Sequence, residues 1–167
     1  MKKLPLLIFC LILFFSGCAY ADKKPVDKFK ADFSANCNDI VLKGIIYSGS
    51  NGIMTLSLKS PEALRGYIYE YKNDKLSISY DNMNIKSETA YLPESDFSKI
   101  LFNVLKSIKN EENYRLNDNY NSILEYKGRC VSGKFILKTD VKSGFIKEIS
   151  LKENKLTVKL NNHRQIK

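Results

Sequence analysis

Apolar and polar residues alternate along most of the chain from residue 28 onward. Between Phe29 and Cys37 every second residue is apolar, and this period of two predicts a strand with one buried face. Similar stretches follow, joined by turn residues that favour antiparallel hairpins. The next predicted strands are Asp39 to Ser48, Met54 to Lys59, Gly66 to Lys72, Leu76 to Asp81 and, more weakly, Asn82 to Glu88.

One segment departs from this period. Between Pro93 and Asn110 the apolar residues recur at spacings of three, one, three, one and three, which places all of them on one side of a helix. These residues are Phe97, Ile100, Leu101, Val104, Leu105 and Ile108. Ser95 is the expected N-cap, with the carboxylate of Asp96 in the first turn complementing the helix dipole.

The second half of the chain returns to strands. Polar residues 111 to 120 predict a loop, and the last seven residues, NNHRQIK, are expected to fray. Strands are predicted at Asn121 to Lys127, Arg129 to Thr139, Gly144 to Leu151 and Lys155 to Leu160, the first two separated by a turn at Lys127-Gly128. Eight to ten antiparallel strands and one amphipathic helix predict an α+β fold, in which a curved antiparallel sheet forms an open half-barrel with the helix in its concavity.

The N-terminal residues have the features of a signal peptide. Lys2 and Lys3 precede an apolar stretch of 12 residues, LPLLIFCLILFF at 4 to 15, and the two together form the charged and apolar regions of such a peptide. As a helix this stretch would reach ~18 Å, well short of the ~30 Å hydrocarbon core of a bilayer. A permanent membrane-spanning helix is therefore not expected here.

Two cleavage sites compete directly after the apolar stretch. The residues Phe15 to Cys18, FSGC, resemble a bacterial lipobox, whose cysteine takes a diacylglycerol and becomes the new N-terminus. Ala19-Tyr20-Ala21 is the small-x-small pattern of an ordinary signal peptidase, which would release a free protein. The lipobox interpretation, which we favour, gives a signal peptide at 1–17, a lipid-anchored tether at 18–27 and one domain at 28–161.

Cleavage before Cys18 leaves two cysteines in the domain, Cys37 and Cys130. One disulfide between them and two separate buried thiols are both open alternatives, because their distance cannot be read from sequence. The formal charge of +9 falls to +7 with the loss of Lys2 and Lys3. A basic exported protein meets anionic head groups, wall polymers or acidic proteins rather than nucleic acid, although solvated lysines on the outer face of a sheet explain the charge as well.

Sequence motifs for catalysis or metal binding are missing. The chain contains no GxSxG, HExxH or CxxC motif and no Gly-rich phosphate loop. Its only histidine, His163, lies in the polar tail. The segment Asn117 to Asn121 is similar to the start of a calcium loop but lacks the later Gly and Glu. We therefore expect no catalytic residue, no metal and no cofactor.

Three tyrosines, Tyr67, Tyr69 and Tyr71, project from one face of a single predicted strand. Such a row forms either a contact surface, for which an aromatic ring with a polar tip is suited, or the half-buried face of an ordinary sheet. Apolar side chains of the neighbouring strands and of the helix would line the same space, as a core or as a groove for acyl chains. The candidate groove or partner surface consists of Met54, Leu56, Leu58, Tyr67, Tyr69, Tyr71, Leu76, Ile78, Tyr80, Phe97, Leu101 and Leu105.

The order of these elements resembles the LolA/LolB-like lipoprotein-sorting superfamily over about residues 28 to 160. The most specific similarities are the passage SPEALR at Ser60 to Arg65 and the turn TDVKSG at Thr139 to Gly144. The resemblance implies an open half-barrel with helices in its concavity and no catalysis. Some members carry lipoproteins or lipids in the groove, and Gram-positive relatives include germination lipoproteins of the GerS type, which bind and license a cell-wall amidase acting on spore cortex.

We therefore expect a non-enzymatic lipoprotein, anchored by its N-terminal lipid to the extracytoplasmic face of the cell membrane, that binds an envelope protein such as a spore-cortex hydrolase. The alternative is a lipid or lipoprotein carrier or acceptor that holds acyl chains in the half-barrel groove. A small envelope enzyme with an unrecognised site is a third class.

Overall fold

The computed structural model describes residues 24–50, 52–88 and 91–166. The predicted signal peptide, Cys18 and both cleavage sites lie outside the described residues. The strands are β1 Phe29–Cys37, β2 Ile40–Ser48, β3 Met54–Ser60, β4 Ile68–Lys72, β5 Lys75–Tyr80, β6 Met83–Glu88, β7 Tyr114–Tyr120, β8 Ile123–Cys130, β9 Gly133–Asp140, β10 Ile146–Leu151 and β11 Leu156–Gln165, and the helix α1 is Phe97–Ser107. Within the described ranges, no helix has the length and apolar character needed to cross a membrane.

All eleven strands belong to one sheet, in the order β6-β5-β4-β3-β2-β1-β11-β10-β9-β8-β7. Strands β1 to β6 form one antiparallel meander and β7 to β11 form another. The two meanders join where β1 pairs with β11, for example at Phe33 opposite Leu160. The sheet is therefore open, with β6 and β7 as its two edges.

Helix α1 contacts strands near both edges, which requires the sheet to curve. Ser98 of α1 is hydrogen-bonded to Tyr71 of β4, and the hydroxyl of Ser107 donates to the carbonyl of Arg129 in β8. Strands β4 and β8 are seven spacings apart in the sheet order, or roughly 34 Å in a flat sheet. One short helix reaches both only when the sheet bends around it. This geometry confirms the predicted half-barrel with the helix in its concavity.

The hydrophobic core lies between the concave face of the sheet, which faces α1, and the helix itself. Five of the six apolar helix residues are buried, and Phe97 is only partly buried. Strands β1, β2, β3, β9 and β11 present alternate side chains to this core, and β10 does so after a register shift between Ile146 and Glu148. The opposite, convex face carries polar and charged residues, as the alternation in the sequence predicts.

The N-cap of α1 is Asp96, not the predicted Ser95. The Asp96 carboxylate accepts a hydrogen bond from the backbone N–H of Lys99 at 2.9 Å and one from the hydroxyl of Ser98. The Asp96 backbone is extended, with φ −64° and ψ 123°, so the helix cannot begin before Phe97.

Replacing Asp96 with alanine should lower the free energy of unfolding by about 1–2 kcal/mol, the usual cost of losing an N-cap. The same change at Ser95 is the matched control and should leave stability within about 0.5 kcal/mol of the wild type. Equilibrium urea unfolding of the two variants measures both values. A larger loss of unfolding free energy in S95A than in D96A would instead identify Ser95, the residue predicted from the sequence, as the N-cap.

Residues 114–120 form strand β7, so the prediction of a loop over 111–120 was wrong. The first three residues of that segment, Glu111–Asn113, form a single 3-10 turn. Strand β7 pairs with β8, placing Leu116 opposite Tyr126. Because β7 is an edge strand with most of its side chains exposed, its sequence lacks the alternation that marks a half-buried strand.

Two other boundaries differ from the prediction. The tail is not frayed: β11 continues to Gln165, and Arg164 lies opposite Lys30 of β1. The turn between β8 and β9 lies at 131–132, and Gly128 is inside β8. A Cβ at Gly128 would collide with the ring of Phe135 and with the Asn113 carbonyl oxygen, so this glycine makes room for close packing rather than for a turn.

Residues 24 to 27, the last four of the predicted tether, are held against the domain. Lys24 forms an ion pair with Glu111 at 2.6 Å, and Pro25 is buried. The backbone N–H of Val26 donates to the carbonyl of Gly144 at 2.9 Å. The hydroxyl of Ser48 donates to the carbonyl of the next residue, Asp27, at 2.6 Å.

Candidate functional site

The structure divides the twelve predicted site residues into two groups. The first group lies in the core between the sheet and α1, and each member is at most 2% exposed. Its members are Met54, Leu56, Leu58, Tyr71 and Leu76 of the sheet and Leu101 and Leu105 of α1. Helix α1 fills the concavity, so these seven side chains offer no free surface while the helix stays in place. Their role as a groove for acyl chains stays a prediction.

Tyr71 links the sheet to the helix. Its ring stacks on Phe102 with centroids 4.6 Å apart, and its hydroxyl lies 2.6 Å from the Ser98 hydroxyl oxygen. Because Ser98 gives its own proton to Asp96, Tyr71 is the donor in this bond. Burial holds the pKa of Tyr71 far above its ordinary value, so the side chain stays neutral.

The other five predicted residues, Tyr67, Tyr69, Ile78, Tyr80 and Phe97, lie together at the N-terminal end of α1. Tyr69 of β4 is opposite Ile78 of β5 and contacts Phe97 edge to face, with centroids 6.2 Å apart. Tyr67, just before β4, stacks on Tyr80 with centroids 4.5 Å apart. Burial raises the pKa of Tyr69. All five keep part of their surface accessible to solvent.

Two residues of β6, which the prediction left out of the site, extend this group to the edge of the sheet. Met83 is paired with Tyr80 and Ile85 with Ile78, so both point to the concave face. Helix α1 does not cover them, and they are 62% and 64% exposed. We call the set Tyr67, Ile78, Tyr80, Met83 and Ile85 the lip surface.

A buried lysine fixes the chain where it approaches the lip surface. Lys99 is only 7% exposed, and its ammonium group lies 2.6 Å from the Glu94 carboxylate. It also donates to the Leu92 carbonyl at 3.0 Å. These contacts hold the segment before α1 against the helix and so position Phe97 beside Tyr69. Nothing in the sequence indicates this role, because Lys99 is not one of the apolar residues that mark the buried side of the helix.

Cys37 and Cys130 are free thiols. They lie at the ends of β1 and β8, which are four spacings apart in the sheet order, or roughly 19 Å along the sheet. A disulfide requires Cα atoms within about 7 Å. Of the two alternatives that the sequence leaves open, the structure has separate, partly buried thiols, and burial raises the pKa of each.

His163 lies inside β11 rather than in a frayed tail. Its ring stacks on Phe145 with centroids 4.9 Å apart, and its Nε2 donates to the Ile146 carbonyl at 2.6 Å. The ring also contacts Phe29, with centroids 5.9 Å apart. Burial, the largest cause, lowers the pKa of His163 below its ordinary value, and nearby Lys147 lowers it further.

This burial predicts a pH-dependent stability. Because the folded-state pKa of His163 is lowered, the unfolded chain binds the proton more readily, with an ordinary pKa of about 6.5. The contribution of His163 is therefore complete above about pH 6.5 and is lost as the pH falls through the lower folded-state pKa. Urea unfolding from pH 5 to 8 measures this loss. The H163Q variant, which keeps an N–H donor but does not titrate, should show a flatter profile, and an unchanged slope would contradict the assignment.

Among the described residues, no group of three or more His, Cys, Asp or Glu side chains lies close enough together to hold a metal ion. The segment from Asn117 to Asn121 spans the end of β7 and the following turn, and Asn117 donates to the carboxylate of Glu125 at 3.0 Å. Its polar side chains thus serve the β7–β8 hairpin.

No protein-family model and no curated protein matches the chain. An uncharacterised conserved protein from Thermus thermophilus is similar in structure with a TM-score of 0.55 and 11% identity, over 83% of this chain and 78% of that one. A LolA superfamily protein from Nitrosomonas europaea has a TM-score of 0.45 and 13% identity, over 89% of this chain and 90% of that one. The complex of the CwlD amidase with the GerS lipoprotein from Clostridioides difficile has a TM-score of 0.44 and 17% identity, over 100% of this chain and 95% of that one. At 11% identity, the likeness to the Thermus thermophilus protein shows a shared fold and nothing beyond it.

Proposed function

We propose that this chain is a non-enzymatic lipoprotein, anchored through Cys18 to the extracytoplasmic face of the cell membrane, that binds an envelope protein through the lip surface. The observation that supports the binding role is the exposure of Met83 and Ile85, at 62% and 64%, beside the part of the concave face that α1 covers. Contiguous exposed apolar side chains rimmed by polar residues are typical of interaction sites.

The composition of the lip surface suits a protein partner. Fully burying a side chain such as Met or Ile is worth about 1.5–3 kcal/mol, and the stacked pair Tyr67 and Tyr80 adds two rings with polar tips. Aromatic side chains of this kind dominate binding energy at the centres of protein interfaces. The partner class that the sequence resemblance suggests is a cell-wall hydrolase, such as a spore-cortex amidase.

Binding can be tested with the mature chain and the wall amidases of the same cell in co-purification and calorimetry. The double variant M83K/I85K should weaken binding at least tenfold without changing the urea midpoint, because both side chains are already exposed. L116K is the matched control, since Leu116 is 40% exposed on the other edge strand. Equal affinity of M83K/I85K and the wild type would reject the lip surface as the partner site.

The carrier alternative gives a different result in the same preparation. Native mass spectrometry would then detect acyl chains bound to the purified chain, and their loss on substitution of buried groove residues would favour it. In the structure α1 occupies that space, and none of the seven side chains between the sheet and the helix is more than 2% exposed. A stable complex with a hydrolase and no bound lipid supports the partner role.

The anchor is tested separately by the C18A variant. With Cys18 as the lipidated residue, C18A should leave the membrane fraction or remain uncleaved, whereas the wild type should partition into detergent and carry a diacylglycerol by mass spectrometry. A C18A protein that stays on the membrane and is fully processed would contradict lipidation at this residue.

A further inference from the structure

We propose that β6 is a strand-addition site, at which a partner contributes an extended segment that continues the sheet. The segment would carry apolar residues on its concave side and acidic residues on its convex side, alternating along the chain. This inference rests on the proposed function and specifies how the lip surface holds its partner.

The first observation is the outer edge of β6. The strand pairs with β5 on one side and, within the described part of the chain, is the last strand of the sheet. Its register with β5 is unbroken from Lys75 opposite Glu88 to Tyr80 opposite Met83. Six residues of strand without a bulge, roughly 20 Å long, therefore present a backbone edge with no neighbouring strand among the described residues.

The second observation is the contrast with the other edge. Strand β7 has a register shift between Leu116 and Asp118 and carries charged or amide side chains on both faces. Bulges and charges of this kind are the usual protection of a sheet edge against pairing with another chain. Strand β6 has no register shift and no proline, and its concave face exposes Met83 and Ile85. Strand β7 is thus interrupted and polar on both faces, whereas β6 is uninterrupted and apolar on its concave face.

The two faces of β6 differ in chemistry. On the convex face, Asn84 donates to the hydroxyl of Ser79 at 2.7 Å and to that of Ser77 at 3.0 Å, and Lys86 follows it. Beside them is a depression of about 660 Å³ that is lined by Glu70, Lys72, Lys75, Leu76, Ser77, Lys86, Ser87 and Tyr91. Three lysines against one glutamate make the lining of this depression basic, so acidic side chains complement it.

These observations select an extended segment over a helix. A strand repeats its faces every second residue, so one strand beside β6 meets the apolar concave face and the basic convex face at the same time. A docked helix would cover Met83 and Ile85 from the concave side only, leaving the outer edge of β6 without a strand and Lys86 uncontacted by the partner. Main-chain pairing with alternating side-chain contacts is an established mode of peptide recognition.

The test uses the mature chain with C18A and a capped peptide that alternates valine and glutamate, Ac-TVEVEVEVT-NH2. Amide hydrogen exchange by NMR should show every second amide of β6 protected at least tenfold, with β7 unchanged. A peptide of the same composition with valines and glutamates in pairs should protect none, since its apolar and acidic residues fall on both faces.

Reversing the charge of Lys86 tests whether acidic side chains of the added strand contact the convex face. The K86E variant should bind the glutamate peptide at least tenfold more weakly than the wild type does. It should bind the lysine analogue, Ac-TVKVKVKVT-NH2, more tightly than the wild type does. Because Lys86 is exposed, the variant should fold normally, which its urea midpoint verifies. Absence of alternate-amide protection with both the peptide and a hydrolase partner would overturn strand addition.

The failure of this inference can be told apart from the failure of the proposed function. A hydrolase that depends on Met83 and Ile85 but leaves the β6 amides unprotected would show docking without strand addition. Concentration-dependent protection of β6 with no peptide added, together with a doubled mass in light scattering, would make a second copy of this chain the occupant and overturn the proposal. A hydrolase that binds M83K/I85K as tightly as the wild type would contradict both the proposed function and the strand-addition site.

Discussion

Replacing Tyr71 with alanine is expected to lower the free energy of unfolding by about 3–5 kcal/mol, the cost of truncating a large buried aromatic side chain. Tyr71 is fully buried, stacks on Phe102 of α1 and donates its hydroxyl hydrogen to Ser98. Its loss leaves a cavity between sheet and helix and removes the aromatic contact of β4 with the middle of α1. Equilibrium urea unfolding followed by far-ultraviolet circular dichroism measures the effect.

The Y71F variant separates packing from hydrogen bonding. It keeps the ring on Phe102 and loses only the hydroxyl, so it should cost about 1 kcal/mol. Ser98 retains its bond to Asp96. If Y71A were no more destabilised than Y71F, the ring would not be what holds the helix in the concavity. An increase in binding of a hydrophobic dye by Y71A alone would show that the helix had loosened.

The G44A variant is expected to lose about 3 kcal/mol, at the upper end of the usual cost of overpacking. A Cβ on Gly44 would collide with the backbone carbonyl oxygen of Ser57 on the neighbouring strand and lie 2.9 Å from a ring carbon of Phe33. A backbone group cannot turn aside as a side chain can, and β2 and β3 already shift register at this position. The two strands must therefore move apart to accept the methyl group.

G49A is the matched control for G44A. The nearest atoms to a Cβ on Gly49 belong to the Tyr47 side chain, at 2.7 to 3.0 Å, and Tyr47 is partly exposed and can rotate away. Its expected cost is below about 1 kcal/mol. Thermal or urea unfolding of the pair compares a fixed obstacle with a movable one. Equal losses in the two variants would show that the β2–β3 spacing is not rigid.

The elements with one buried face could be predicted from sequence, and those with none could not. Helix α1 was found because its apolar residues follow the helical period, and β1 because its apolar residues follow a period of two. Strand β7 was missed because its side chains are largely exposed. The end of β11 was missed for the same reason, since Asn161 to Gln165 are polar but pair with the first residues of β1.

The candidate site was only partly predictable. Ile78 and Tyr80 alternate with polar residues in the same way as Met83 and Ile85, and nothing in that alternation separates a buried side chain from an exposed one. What separates them is the position at which α1 begins, because the helix covers Leu76 and leaves β6 bare. The pattern along one strand indicates which face is apolar, whereas its exposure depends on the partner element.

With Cys18 as the proposed anchor, the contacts that hold residues 24 to 27 on the domain would restrict its freedom at the membrane. Only five residues separate Cys18 from Lys24, and a fully extended chain between these two residues spans at most about 22 Å. The domain would then turn one end of its strands to the bilayer, the end where Asp27 meets Ser48. Ser48 pairs with Met54, Met54 with Tyr71, and Tyr71 with Leu76, so these residues lie at the same end of their strands. Tyr80 lies four residues further along β5, toward the opposite end. The lip surface would then lie toward the end of the sheet that faces away from the bilayer, and the short tether would act as an orienting element rather than a mere attachment.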